Sequence, residues 1–453
     1  MTRRVTGVLL LFLLCLPGMG QVRSSEVHRL TIDDALRLAL RNNHELAAAR
    51  IDVEKAEALV SEAWGNTLPK IDLSARYTRS LKLPVFFLPD FDDPNSGKVV
   101  PIKVGSENSI DLSLTATQIL FNSAVFIGVG TAKTYSETAR EMFRAKQLET
   151  ITNVRRAFYG GLLAREVRSM MHATLANAEQ NYRNVSALAD QGILAEYDRL
   201  RAEVALENLR PEVMKSDNDY RLAMNGLKQA IGAPFADSLD IDGLFAAPPV
   251  DPVLLETAVA TVIEVNPALS ALRHQADVND AIISVERSNA LPTLAAFGNY
   301  QYQAQKSNLR ISTNDLIGSS AVGINLSLNI FNGFSTNARI EQATLDLRRT
   351  ETRIAGMETS LKTQVESIVL NVRWARERIT GQEKTVAQAE KGYRIAAARF
   401  ASGAGTQLDV NDAQLAVNRA TVNRLQAIYD YLIATAELDQ ALGRFPASVQ
   451  NSD

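Results

Sequence analysis

Hydrophobic positions along the chain follow two periods, and the switches between them divide it into elements. Ile71, Leu73, Ala75 and Tyr77 alternate with Asp72, Ser74, Arg76 and Thr78, and Ile110, Leu112, Leu114 and Ala116 alternate with Asp111, Ser113, Thr115 and Thr117. Further on, Ala296, Gly298, Tyr300 and Tyr302 share one face, while Val322, Ile324, Leu326, Leu328 and Ile330 alternate with Gly323, Asn325, Ser327 and Asn329. Period two predicts strands with one apolar and one polar face. Runs of roughly ten residues with that pattern are the signature of strands that cross a membrane, and the tyrosines near their ends fit an aromatic girdle. A half-buried soluble hairpin has the same local pattern. Between the strands the chain changes character: residues 123–190 and 336–401 are rich in Ala, Glu, Arg, Gln and Thr and contain no proline. Each is predicted as a single helix of about 100 Å, at 1.5 Å per residue.

An internal repeat spans almost all of this. Residues 43–69 align without a gap on 266–292, an offset of 223, and Gly192, Asp198 and Ala202 match Gly403, Asp409 and Ala413 at an offset of 211. The offset falls between the two strands of each copy, so the first copy has the longer connecting loop. The first copy is predicted to occupy 21–246, with helices in 30–66, strands at 68–81 and 108–121, a long helix at 123–190 and a returning helix at 196–231. The second occupies 247–445, with helices in 253–289, strands at 291–304 and 319–331, a long helix at 336–401 and a returning helix at 407–442, followed by a tail at 446–453. A period above 200 means a duplicated half-molecule, not a solenoid. The two shorter helical segments of the first copy sum to about the length of its long helix, so they can lie end to end beside it.

Composition narrows the class. The chain has 453 residues, 48 Lys and Arg against 51 Asp and Glu, and a formal charge of −3, which argues against nucleic-acid binding. Arg3 and Arg4 precede an apolar run at 8–16 and the small-residue stretch Pro17-Gly18-Met19-Gly20, the pattern of a secretory leader over 1–20. Cys15, the single cysteine, has apolar residues on both sides and does not fit a lipid-acceptor site. No later segment has 18 consecutive apolar residues, so the exported chain is either soluble or crosses a membrane as strands. Four strands cannot close a membrane barrel, and an open edge in lipid leaves backbone groups unpaired. The chain must therefore oligomerise, with two, three or four copies giving 8, 12 or 16 strands.

Bond chemistry has little support. His28, His44, His172 and His274 are scattered, Met170-Met171-His172 reads as interior packing, and no phosphate loop, Ser-His-Asp order or zinc motif is present. No enzyme activity, metal or cofactor is expected.

The Leu-Thr-Ile-Asp-Asp-Ala-Leu opening at 30–36, the Leu-Pro strand starts at 68–69 and 291–292, the Phe-Asn pairs at 121–122 and 331–332 and the turn at 402–414 carry a family resemblance. Over residues 27–445 the chain resembles the TolC family of outer-membrane efflux proteins. The resemblance implies an α+β membrane protein: a homotrimer sharing one 12-stranded barrel in outer-membrane lipid, continued across the periplasm by a tunnel of long helices. It also implies a periplasmic adaptor docked on the hairpin tips and an inner-membrane transporter that supplies energy.

The two tips place Gly192, Ile193 and Leu194 in one loop, and Gly403, Ala404 and Thr406 in the other, where the resemblance implies adaptor contact; glycine suits such turns because it accepts positive φ. Asp409 and Asp412 share a helix face at i, i+3. The resemblance puts them, with Asp198, at an acidic constriction of the periplasmic entrance, although Thr406-x-x-Asp409 also reads as a capping box. Where the family closes its entrance with a tyrosine and an arginine, this chain has Phe400 and Gly405, so closure is expected to rest on packing. Leu112, Leu114, Ile324 and Leu326 are expected to face lipid. The expected function is a passive exit duct of a tripartite efflux system in a Gram-negative outer membrane. A type I protein secretion duct and a soluble periplasmic coiled-coil adaptor are the alternatives.

Overall fold

A computed structural model describes residues 28–89, 97, 99–235, 239–310 and 312–450. The expected leader and Cys15 lie outside the described residues. In chain order the elements are β1 (His28–Leu30), α1 (Ile32–Asn42), α2 (His44–Gly65), β2 (Lys70–Arg79), β3 (Val85–Pro89), β4 (Val99–Lys103), β5 (Asn108–Phe121), α3 (Ser123–Asp190), α4 (Glu196–Ile231), β6 (Leu239–Ile241), α5 (Pro252–Val265), α6 (Pro267–Ser288), β7 (Thr293–Lys306), β8 (Ile317–Ser327), α7 (Ser335–Ala401), α8 (Gln407–Ala441) and α9 (Ala447–Gln450).

The helical segments expected over 30–66 and 253–289 are each broken in two. At Asn43 the backbone turns extended (φ −66°, ψ 123°), which frees the side-chain oxygen to cap α2 by accepting from the Leu46 N–H at 3.0 Å. Asn266 repeats this (φ −72°, ψ 119°), accepting from the Leu269 N–H at 3.0 Å, and Pro267 reinforces the break because a residue before proline avoids the helical region. The 252–288 stretch is apolar enough to span a membrane by length and composition, with a mean hydropathy of 1.3. The break at Asn266 makes it instead two helices that pack against α7.

The main sheet has the order β2-β5-β7-β8, antiparallel throughout. Its register sorts the side chains onto two faces. Leu73, Leu114 and Tyr300 lie in one row with Ser320, Ala75, Leu112 and Tyr302 in the next, and Ile324 and Leu326 follow on the same face. The other face carries Asp72, Thr115, Asn299 and Ala321, with Asn299 Nδ2 donating to the hydroxyls of Ser113 and Thr115 at 3.2 Å. Phe297 breaks the polar character of this face. Its ring lies over Gly323, where a Cβ would meet it at 2.9 Å.

The fourth strand is shorter than expected. It ends at Ser327, the residue paired with the first residue of β7, so 328–331 extend past any partner in this chain. They lead into Gly333 and Phe334, both with positive φ. Two small pairings were not anticipated: the parallel β1–β6 pair and an antiparallel β3–β4 hairpin in the long loop of the first copy.

The helices make a wall four across. Near the sheet the order is α2, α3, α6, α7; toward the far end α4 and α8 take the places of α2 and α6. At 68 and 67 residues, α3 and α7 run the full length, about 100 Å each. Two hydrophobic clusters hold the middle of the wall. One joins Leu36, Phe158, Leu162, Leu227 and Ile231; the other joins Val262, Leu269, Val365, Tyr431 and Leu438, with the Tyr431 hydroxyl donating to the Pro248 carbonyl at 2.6 Å. Each half of the repeat thus builds its own core at the same level.

Candidate functional site

The ends of the two helical hairpins, α3–α4 and α7–α8, lie farthest from the sheet. Both turns solve the same problem, the orphan carbonyls of a helix C-terminus, in the same way. Gly192 (φ 70°) donates to the Ala189 carbonyl at 2.9 Å and Ile193 to Leu188 at 2.9 Å; Gly403 (φ 74°) donates to Phe400 at 3.0 Å and Ala404 to Arg399 at 2.8 Å. This is the Schellman arrangement, which needs a left-handed residue at the glycine. Ile193 is left 65% exposed at the first tip, and Tyr197, Leu200 and Val204 continue the apolar surface up α4. Leu194 is half-buried.

Charge at the tips is held locally. At the first, Arg199 pairs with Glu196 and reaches Asp190 across the turn at 3.5 Å. At the second, Arg399 Nη2 donates to the Ala404 carbonyl at 3.0 Å. Gly405 lies against the end of α7, where a Cβ would come within 3.1 Å of Arg399 Cβ and of Phe400 N. A larger residue at 405 therefore requires the end of α7 to yield, and the arginine of this turn is Arg399. Its position in the last turn of α7 was the available signal, since basic residues favour helix C-termini.

The acids differ in their surroundings. Asp409 Oδ2 accepts from the Thr406 N–H and hydroxyl, each at 2.9 Å, while the Thr406 oxygen accepts from the Asp409 N–H at 3.2 Å. These bonds, led by the backbone one, hold the Asp409 carboxyl below its usual range, and Arg399 adds to the effect. Asp412 is exposed and has no hydrogen bond or ion pair among the described residues. Asp198, half-buried in the first turn of α4, has no hydrogen bond to either. Behind the tips a cavity of about 340 Å³ separates the hairpins, lined by Asn177, Asn181, Asn208, Asn411 and Tyr393. Gln407, 1% exposed, donates to Asn411 Oδ1 at 3.1 Å and leaves its own oxygen without a partner. Sequence reasoning missed this amide seam because Asn and Gln on a helix read as solvent-facing.

His172 is not part of a metal cluster among the described residues. Its Nε2 lies 3.1 Å from Asp217 Oδ1, which also accepts from Arg168 at 2.6 Å.

The sequence profile described as "Outer membrane efflux protein" matches residues 35–233 and 259–444, which takes in most of both halves. The chain belongs to that family. It is 21% identical over 423 residues to the outer membrane protein TolC of Vibrio cholerae serotype O1, covering 93% of this chain and 92% of that one. It is 24% identical over 328 residues to the alkaline protease secretion protein AprF of Pseudomonas aeruginosa, covering 72% of this chain and 68% of that one. The crystal structure of the outer membrane protein VceC from Vibrio cholerae superposes with a TM-score of 0.74 at 17% identity, covering 91% of this chain and 96% of that one. The fold is therefore that of the outer-membrane channels, an α+β arrangement of barrel strands and long helices. Family membership puts the protein in the outer membrane as an efflux channel; the family is not one of enzymes.

Proposed function

We propose that the protein is the exit duct of a tripartite efflux system, a homotrimer that passively conducts substrates from the periplasm to the exterior. The observation that carries this is the four-stranded sheet, open at β2 and β8, apolar on one face and polar on the other, and continued by helices of about 100 Å. An open edge is costly in lipid, so β8 of one copy must pair with β2 of the next. Because the strands alternate in direction, that junction is also antiparallel, and any number of copies closes without a mismatch. Three copies, the number the family resemblance implies, give 12 strands. Leu112, Leu114, Ile324 and Leu326 then face lipid and the Asp72–Asn299 face lines the lumen.

In this assembly the tips form the periplasmic entrance. The apolar Ile193 surface and the exposed Gly192, Gly403, Ala404 and Thr406 suit docking of a periplasmic adaptor, which links the duct to an inner-membrane transporter. Asp198, Asp409 and Asp412, tripled, give the entrance its negative charge, and Phe400 with Gly405 packs the second tip in place of a polar latch. The test is to purify the protein in detergent and record it in planar bilayers. A trimer with a cation-selective conductance is expected; a monomer released by carbonate and silent in bilayers overturns the reading and favours the soluble scaffold.

The likeness to AprF, whose name assigns it to protease secretion, favours a second reading in which the duct serves a type I protein secretion system. Crosslinking from Ile193 in cells separates the two, because the inner-membrane transporter recovered differs.

A further inference from the structure

Beside the middle of the wall, α1, α2, α3 and α9 enclose a cavity of about 590 Å³ whose lining includes Arg37, Arg41, Arg50, Arg140 and Arg144. The lining thus holds five arginines and one acidic residue, Glu141. Arg37 is paired with Asp34 at 2.6 Å, Arg140 with Glu57 at 2.8 Å and Arg144 loosely with Glu141 at 3.9 Å. The first two pairs are exposed and the third is long, and such pairs are weak enough to exchange for a better acceptor. Arg41 and Arg50 have no ion pair among the described residues. The Arg50 guanidinium lies over the Phe143 ring at 5.9 Å. Arg41 and Arg50 thus bring two cations without an ion-pair partner to one concavity, and their mutual repulsion is relieved when an anion occupies it.

We propose that this cavity is a binding site for a multivalent oxyanion ligand, carboxylate or phosphate, carried by a periplasmic polymer. Guanidinium forks bind either group bidentately, so the chemistry alone allows two sources, a polymer or the headgroups of the membrane. Level in the molecule decides between them. The 22 residues of α2 separate Arg37 and Arg41 from the sheet by about 33 Å, and even Arg50 lies about 22 Å from the end of that helix. Headgroups extend only about 5 to 8 Å beyond the hydrocarbon core on each side, so membrane phosphates fall short of the site. A polymer bound here tethers the duct at its waist, away from both barrel and tips. This assignment rests on the proposed function only for placing the waist in the periplasm; binding of a small anion does not depend on it.

The test compares the detergent-purified protein with Arg41→Ala/Arg50→Ala, chosen because neither arginine holds an internal ion pair, and with Arg339→Ala/Arg353→Ala as an equal loss of charge on α7. Calorimetric titration with tripolyphosphate should show saturable binding that weakens at least tenfold in the first variant and stays unchanged in the second. Arg41→Lys/Arg50→Lys should fall between, because charge remains while the fork is lost. In a second arm the wild type should co-sediment with isolated cell-wall sacculi and the Ala variant should not. Equal tripolyphosphate binding by wild type and the Ala variant, or equal loss in the α7 control, overturns the site. Loss of binding to lipopolysaccharide vesicles but not to sacculi overturns the polymer.

Discussion

Asn43 donates its side-chain amide to the Ala230 carbonyl at 3.0 Å, and Asn266, 223 positions later, donates its own to the Ala441 carbonyl at 3.0 Å. Each asparagine therefore caps one helix with its oxygen and ties down the end of another with its nitrogen. The glycines that follow those carbonyls are as constrained. A Cβ at Gly232 would lie 2.4 Å from the Asn42 oxygen and one at Gly443 would lie 2.7 Å from the Val265 oxygen, both at positive φ. The repeat seen in the sequence is thus a repeated joint, one per half, where a short helix pair meets a returning helix.

Removing the joint should cost more in the second half. Asn266 is 7% exposed, so Asn266→Ala loses a cap of about 1 kcal/mol and strands a buried carbonyl worth about 1 to 3 more. The part-buried Asn43 should lose about 1 to 2 kcal/mol, since water can reach its partner. Asn266→Asp, which keeps the capping oxygen and loses the donor, should be intermediate. Denaturant midpoints followed by helical circular dichroism check the order, and equal shifts for all three would show that the joint is not the source.

The faces of the sheet make a separate prediction. Leu114→Arg or Leu326→Arg puts a charge on the lipid side at about 2 to 4 kcal/mol near the bilayer midplane, so trimer yield in outer-membrane fractions should fall. Thr115→Arg and Asn325→Arg, one residue along, point to the lumen and should assemble. Gel-shift counting of trimers decides it, and the reverse order would invert the barrel.

Much of this was legible because both periods are strong. Alternation over Ile71 to Thr78 leaves no other way to segregate polar from apolar side chains, and 68 residues without proline leave little but a helix. The break at Asn43 was not legible, because an asparagine inside a helical pattern looks like a tolerated surface residue until its distant partner, Ala230, is in place; at Asn266 the following Pro267 was a visible signal that went unused. The strand end at Ser327 was misread for a related reason: Leu328 and Ile330 keep the alternation but have no strand opposite them in the chain. At the tips the glycines were visible and their bonding to Ala189 and Phe400 follows from turn geometry. The buried Gln407 was not, since only packing between hairpins hides it.

Disturbing the tips should separate export from assembly. Proline fixes φ near −65°, whereas Gly192 and Gly403 sit at 70° and 74°, so Gly192→Pro and Gly403→Pro must rebuild their turns. Export in cells should be lost while trimers remain in the outer membrane, the sheet being about 100 Å away. Ile193→Glu should weaken adaptor crosslinking without altering the turn. Undiminished crosslinking and export in all three would remove the tips from the docking surface.

The last prediction concerns Asp409 and Asp412. Tripled around a narrow entrance, their carboxylates attract cations more strongly than surface acids do, because neighbouring charges reinforce one another and water screens them less. Their surroundings divide the work unequally. Asp409 has one oxygen committed to Thr406, whereas Asp412 has both free, so Asp412→Asn should reduce cation selectivity and block by multivalent cations more than Asp409→Asn does. The double Asn variant should lose most of both properties with the trimer intact, and exchange of both to Glu should retain them. Acid pH adds an independent check. Bonding to Thr406 favours the charged form of Asp409, so its carboxylate keeps its charge to lower pH than the same residue without those bonds. Selectivity remaining in the Asp412→Asn channel should therefore be lost as the pH falls, and at a higher pH when Thr406→Val removes the side-chain bond. Single-channel reversal potentials in planar bilayers measure both effects, and a double Asn variant as selective as the wild type would leave Asp409 a helix cap and place the constriction elsewhere.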